Sequence, residues 1–212
     1  MDDGVVEFRD VIRRRQMIRH FDPQRPVPAE ALHRVLEHAR RAPSAGHTQG
    51  WAFLVLEKPG DRELFWSVSS NVGAASGWLE RMRTAPVLVI VLSSEQAYRD
   101  RYREPDKRPE DPAGPEGPEH EFAVPYWHVD AGFAALIMLL TAVDEGLGAC
   151  FFGIDSATTE PTMRAFGVPG SFTPVGVVAI GHPAPGPRSP SLRRGRRPVA
   201  DVVHYGSWRG AR

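Results

Sequence analysis

A single cysteine, Cys150, is all the thiol this chain of 212 residues carries. An intrachain disulfide is therefore impossible, and so is a multi-cysteine metal site. Cysteine this sparse is consistent with a reducing compartment. Cys150 follows an apolar stretch, where a packed small hydrophobe is expected rather than a nucleophile. Charge of one sign is also lacking. Lys plus Arg and Asp plus Glu each total 26, for a net charge of zero. That balance gives no general case for nucleic acid or an anionic membrane as a partner. Long hydrophobic runs are missing too: the longest, residues 131 to 143, is shorter than a membrane span and is followed by Asp144 and Glu145. The opening residues, MDDGVVEFRD, lack the apolar centre of a signal peptide. A cytoplasmic location without a membrane is expected. His128, His182 and His204 are scattered without metal-ligand spacing, so no metal is expected. GLGAC, at residues 146 to 150, is not a phosphate loop, because no Lys-Ser/Thr follows it. No catalytic triad or acid–base pair is recognisable.

What is present suits one domain with a substantial core. Phe8, Val11 and Ile12 recur at helical spacing within residues 6 to 15. Pro28 suits a first helical position, and Ala31, Leu32, Val35, Leu36 and Ala39 form one apolar face ending before Pro43. Trp51 to Leu56 reads as a strand. A polar helix is expected near residues 62 to 69, and another around Trp78 and Leu79. PVLVIVL, residues 86 to 92, is a continuous apolar run rich in β-branched residues, a buried central strand. Residues 94 to 125 change character: prolines interrupt charged residues, no periodicity survives, and a long loop or lid is expected. Residues 126 to 145 form the most hydrophobic helix, for the core or a subunit interface, with Gly146 as its cap. Residues 149 to 154 are extended, 159 to 166 helical, and 174 to 181 the last central strand. The tail after Pro183 is rich in arginine, proline and glycine. The order predicts an α+β fold, a mixed sheet with helices on its faces.

Two arginine clusters stand out: Arg13, Arg14, Arg15 and Arg19 near one end, and Arg193, Arg194, Arg196 and Arg197 near the other. The planar guanidinium fork suits a phosphate. Solvated surface charge, or a tail that binds RNA, fits the clusters as well. Domain termini often lie close together, so the two could meet. Between a helix and a strand runs PSAGHTQGW, residues 43 to 51. Ser44, His47, Thr48 and Gln49 offer donors and acceptors, and Gly46 allows close backbone approach. Such a loop suits the polar edge of a planar heterocycle, or simply a polar turn. Tyr126 and Trp127 suit either stacking on a ligand or core packing.

These segments, taken in order, resemble a known family. RRQMIRHF (residues 14 to 21) is similar to the opening motif RRSxRxF of the FMN-dependent nitroreductases. APSAGHTQGWAFLVL (residues 42 to 56) resembles their APSxxNxQPWxFxVV. DAGFAALIMLLTAVDEGLGACFFGI (residues 130 to 154) resembles their long core helix with its GLG ending. PVGVVAIGHP and RRGRRPVADVVHY resemble their last strand and basic C-terminal motif. The resemblance covers nearly the whole chain as a single nitroreductase-like domain, with a lid at about 94–125 and a tail at about 183–212.

The resemblance implies an antiparallel-type mixed sheet flanked by helices and an intertwined homodimer with FMN at the subunit interface. It implies that Arg14, Arg15, Gln16 and Met17 lie against the flavin, with Arg15, Arg194 and Arg196 at its phosphate. Pro43, Ser44, Ala45, His47 and Gln49 would line the ring from the partner subunit. The backbone from Phe151 through Phe152 to Gly153 would pass near it. Four positions depart from the pattern. Gln16 and Met17 stand for Arg or His and Ser, His47 for asparagine, and Gly50 for the proline of QPW, which is expected to loosen that turn.

Flavin carries the hydride chemistry, so the absence of a triad is no obstacle. The implied reaction is ping-pong: NADH or NADPH reduces FMN, then a small-molecule acceptor such as a nitroaromatic or quinone takes its place. Cationic residues would stabilise the reduced, anionic ring. The alternatives are specialised chemistry on the same fold (a flavin-fragmenting dimethylbenzimidazole synthase, a reductive dehalogenase or an azoline-type oxidase) and a non-catalytic flavin-binding protein.

Overall fold

The run PVLVIVL forms a strand buried at every position, β2 (Val87–Ser93). Successive side chains of a strand point to opposite faces. Val87, Val89 and Val91 accordingly join one apolar cluster, and Leu88, Ile90 and Leu92 the other. In this computed structural model, which describes residues 7–70, 77–107, 121–187 and 189–208, β2 is flanked by β1 (Trp51–Leu56) and β4 (Thr173–Gly181). β3 (Gly148–Phe152) lies beyond β4. The order is β1-β2-β4-β3, antiparallel throughout. The mixed character expected of the sheet is reduced to one isolated parallel bridge, Met17 with Ala149.

Helices cover both faces. α2 (Ala29–Ala39) and α6 (Tyr126–Asp144) bury Leu32, Val35, Ala39, Ala134, Met138 and Ala142 against one face. α3 (Pro59–Ser69), α4 (Gly77–Met82) and α7 (Ser156–Ala165) bring Phe65, Trp66, Met82 and Met163 to the other. α1 (Phe8–Arg14) is short and packs on α6. The spacing in α2 buries Ala31, Leu32, Val35 and Ala39 as expected. Pro28, however, precedes the helix as its cap residue, at φ −59° and ψ 133°, because an N-cap takes extended backbone that proline adopts readily. α6 ends in a left-handed Gly146, φ 68°. The Leu147 N–H reaches the Ala142 carbonyl and the Gly146 N–H the Val143 carbonyl, the pairing of a Schellman cap.

Two expectations need correction. At 19 residues α6 does have the length and apolarity to cross a membrane, and half of its apolar window is buried within the chain. Residues 94 to 107 are not irregular. Ser94 caps a helix, α5 (Glu95–Arg101), by accepting from the Ala97 N–H, and a 3-10 turn follows at Pro105–Lys107. α5 escapes a periodicity reading because a single residue, Tyr98, is buried. Polar pairs one turn apart, Arg99 with Glu95 and Gln96 with Asp100, support the rest. Residues 108–120 of the expected lid lie outside the described residues.

Candidate functional site

The N-terminal motif leaves α1 at Arg15, whose φ of −56° and ψ of 118° are extended. It then runs along the outer edge of β3. Met17 bridges to Ala149, the Ile18 N–H donates to the Ala149 carbonyl at 2.9 Å, and the Phe151 N–H donates to Met17 Sδ at 3.5 Å. Met17 thus replaces a hydroxyl with a sulfur that accepts from the strand beside it. Phe152 and Gly153 follow immediately, and Gly153 is exposed with open space where a side chain would stand. A flat ring can approach that backbone closely.

The tail is anchored to the same segment. Phe21 bridges to Pro183, the Ala184 N–H donates to the His20 carbonyl, and His20 Nδ1 lies 2.5 Å from the Pro185 carbonyl. Since a carbonyl only accepts, Nδ1 carries the proton. Beyond this anchor the tail carries Arg193 and Arg194 in a 3-10 turn (Pro190–Arg194) and Arg196 two residues on, all exposed. Among the described residues, none of Arg14, Arg15, Arg194 and Arg196 forms an ion pair, whereas Arg13 is paired with Asp10. The contacts between the two segments run through residues 20–21 and 183–185, and among the described residues no contact joins Arg14 or Arg15 to Arg194 or Arg196.

The loop of residues 43 to 49 has unusual backbone. Gly46, His47 and Gln49 lie at φ 63°, 56° and 53°, and the left-handed region is uncommon for residues other than glycine. Internal bonds latch it. The His47 N–H donates to the Ser44 carbonyl, the Gln49 N–H to Ser44 Oγ, and Thr48 Oγ1 to the Ala45 carbonyl. Gln49 Nε2 and His47 Nε2 lie 3.1 Å apart; with the amide donating, the neutral ring carries its proton on Nδ1.

Outside bonds hold the loop in place. Asp130 Oδ2 accepts from the Ala45 N–H and from the Tyr98 hydroxyl, each at 2.7 Å, and Arg101 Nε donates to the Gly46 carbonyl at 2.9 Å. Asp130 is 3% exposed and Tyr98 fully buried. Burial, then the bond to Asp130, pushes the Tyr98 phenol far above its usual range. Sequence reading missed Tyr98, Arg101 and this role of Asp130. The available signal was an aspartate at the head of an otherwise apolar helix. Gly50 is also corrected. A Cβ there would stand 2.6 Å from Tyr98 Cε2, so glycine makes room for the ring rather than loosening the turn.

Within one chain the two halves of the expected site stand apart. The loop enters β1 at one edge of the sheet, and Met17 and Gly153 lie at β3, the other edge. Three strand spacings, about 14 Å, separate those edges. Beside Gly153 opens a cavity of about 220 Å³ lined by Phe65, Trp66, Trp78, Leu79 and Phe152 among others. Trp66 stacks on Phe152 at 5.7 Å, and Trp78 meets it edge-on at 5.5 Å. A larger depression of about 310 Å³ between Arg62, Trp66 and Arg83 contains none of the expected site residues.

The remaining candidates are accounted for by packing. Cys150 is buried, which pushes its thiol up, with Arg19 opposing weakly. Trp127 packs against Phe122 and Tyr98, while Tyr126 faces outward. His128 Nδ1 bonds Ser93 Oγ at 2.9 Å, and His204 stacks on Trp208.

Comparison with known proteins places these features in context. Residues 12–182 match the model of the nitroreductase family. A candidate NADH dehydrogenase/NAD(P)H nitroreductase of Methanothermobacter thermautotrophicus is 27% identical over 212 residues, 97% of this chain and 92% of the relative. The CLA biosynthesis enone reductase of Lactiplantibacillus plantarum is 26% identical over 197 residues, 85% of this chain and 88% of the relative. A crystal structure of a candidate nitroreductase from Desulfovibrio desulfuricans in complex with FMN superposes with a TM-score of 0.68 at 24% identity, covering 93% of this chain and 95% of that one.

Proposed function

The chain belongs to the nitroreductase family, and from that premise we propose that it is an FMN-dependent oxidoreductase. NADH or NADPH is the electron donor, and the acceptor is a small molecule such as a nitroaromatic or a quinone. One observation carries the reading: Met17, two residues after the unpaired Arg15, is bonded by the Phe151 N–H of the strand that leads directly into the open, exposed backbone at Gly153. The names of the relatives agree with it, an NAD(P)H nitroreductase, an enone reductase and a fold neighbour holding FMN.

When bound, FMN supplies the hydride chemistry, and the residues supply place and environment. Arg15, Arg194 and Arg196 hold the phosphate. Gly153 admits the ring edge without a side chain in the way. The aromatic walls at Trp66, Trp78 and Phe152 offer a flat acceptor faces to pack on.

The site is completed by a second copy. The loop that would cover the ring is at the far edge of its own sheet, so the neighbour's loop must supply Pro43, Ser44, Ala45, His47 and Gln49. The surface supports this. Tyr126, Val129, Phe133 and Leu136 form a large exposed apolar stripe along α6, and Val199, Val202, Tyr205 and Trp208 stand exposed on the tail. Contiguous apolar surface of this kind marks an interface.

The test is the visible spectrum of the purified protein, with mass spectrometry of whatever heat denaturation releases. Flavin absorption, release of FMN and its bleaching by NADH or NADPH are expected. Protein that is colourless, and stays so after FMN is added, would sink the reading.

A further inference from the structure

The loop of residues 44 to 49 does not hold its shape by local preference. His47 and Gln49 occupy left-handed backbone, which chirality disfavours for both. Its internal bonds tie loop to loop and leave its placement open. Placement comes from α5. Asp130 Oδ2 is one buried atom receiving two donors, the Tyr98 hydroxyl from α5 and the Ala45 N–H from the loop. A carboxylate buried there is tolerated only because those donors satisfy it. Arg101 acts from the other side. Its two Nη groups grip Asp106 at 2.6 Å each, and Nη1 also reaches Glu104. That bidentate pair fixes the guanidinium plane and leaves Nε for the Gly46 carbonyl. Gly46 also lies against the Tyr102 ring, where a Cβ would stand 3.0 Å from Cε2. The backbone at Gly50 is tied to the start of α5 by the Ser94 N–H.

We propose that Tyr98 and Arg101 are positioning residues for the cofactor: they hold residues 44 to 49 in the conformation in which the loop meets the flavin of a second copy. This rests on the flavin reading above. Neither residue touches the ring; both act through the loop. The segment read from sequence as a lid thus begins as a clamp on the opposite wall of the site.

The test uses Arg101→Met, which keeps the stem and removes the donors of a half-buried side chain, and Tyr98→Phe, which keeps the ring and removes the hydroxyl. Arg101→Lys, with one donor left for the Gly46 carbonyl, serves as the conservative rescue. FMN affinity is read by quenching of flavin fluorescence, the ring environment by visible circular dichroism, and the loop by amide exchange in flavin-free protein. Loss of FMN affinity on the order of tenfold in Arg101→Met and Tyr98→Phe is expected, with a changed dichroism spectrum and partial recovery in Arg101→Lys. Wild-type affinity and spectrum in both variants would overturn the proposal. Failure of the flavin reading is distinguishable, because the wild-type protein then binds no FMN. Exchange decides the clamp in that event: faster exchange at the His47 and Gln49 amides in Arg101→Met supports it, and unchanged exchange overturns it.

Discussion

Replacing Gly50 by alanine sets two effects of opposite sign against each other. Gly50 is not among the glycines with positive φ, so alanine fits the backbone. By loss of unfolded-chain entropy alone the change would stabilise by about 0.4–1 kcal/mol. Against that stands the Tyr98 ring. The new Cβ would lie 2.6 Å from Cε2, 3.1 Å from Cδ2 and 3.3 Å from the Ala97 Cβ. The ring cannot swing aside, being fully buried with its hydroxyl fixed on Asp130. Overpacking of this kind costs about 1–3 kcal/mol. At the middle of both ranges the clash wins, with net destabilisation of about 1 kcal/mol, a fall in melting temperature of roughly 3 °C for a chain of this size. Gly50→Pro, which restores the residue usual in the family motif, should be worse. It adds the same Cβ and pushes the preceding residue toward extended backbone, whereas Gln49 lies at a φ of 53°. Calorimetry of the three proteins at equal concentration checks the order. An alanine variant that melts at or above wild type would refute the reasoning, and so would a proline variant more stable than the alanine one.

Other perturbations follow from the same geometry. Arg15→Ala and Arg194→Ala should each weaken FMN roughly tenfold to a hundredfold, the worth of a charged hydrogen bond, while leaving riboflavin, which has no phosphate, unaffected; equal losses for both ligands would remove these residues from the phosphate site. Arg34 holds the Glu145 carboxyl below its ordinary range by a bidentate bond, 2.6 and 2.7 Å. A depressed carboxylate contributes stability above its unfolded pKa and loses it as pH falls through the folded one. The gap in melting temperature between wild type and Glu145→Gln should thus be open at neutral pH and begin to narrow below about pH 4, and a gap that does not shrink on acidification would contradict this. Cys150, buried with a raised thiol, should resist a disulfide reagent in native protein and react fully in denaturant. Phe133→Glu, on the exposed stripe of α6, should shift sedimentation toward the monomer and release FMN together.

The elements most legible in the sequence were those defined by burial. β2 is apolar at every position because helices cover both faces of the sheet, and α2 shows its buried stripe at helical spacing. α5 was illegible for the complementary reason. It buries Tyr98 alone and is otherwise polar, so no apolar period marks it. The site divides the same way. Arginines and a polar loop announce themselves by residue type. The role of Gly50 does not, because the atom that forbids a side chain there belongs to Tyr98, distant in the chain and brought close by the pairing of β1 with β2. Asp130 was visible as an oddity in an apolar helix, but its two donors come from separate elements.

α6 unites the fold with the proposed function. A helix apolar all round is either wholly covered or membrane-embedded, and the single chain covers only part of this one. Its inner face is built of small residues, Ala131, Ala134, Ala135 and Ala142, with Met138 among them, which lets α2 and the sheet approach closely. Its outer face is built of large ones, Tyr126, Val129, Phe133 and Leu136, left bare. Its first turns carry Asp130, which places the loop that the same chain's Met17 and Gly153 cannot reach. In the proposed reading a second copy packed on the outer face answers two deficits at once, uncovered apolar surface and a cofactor site whose proposed halves stand at opposite edges of one sheet. Because both are met by the same contact, loss of the interface and loss of the flavin should be one event rather than two.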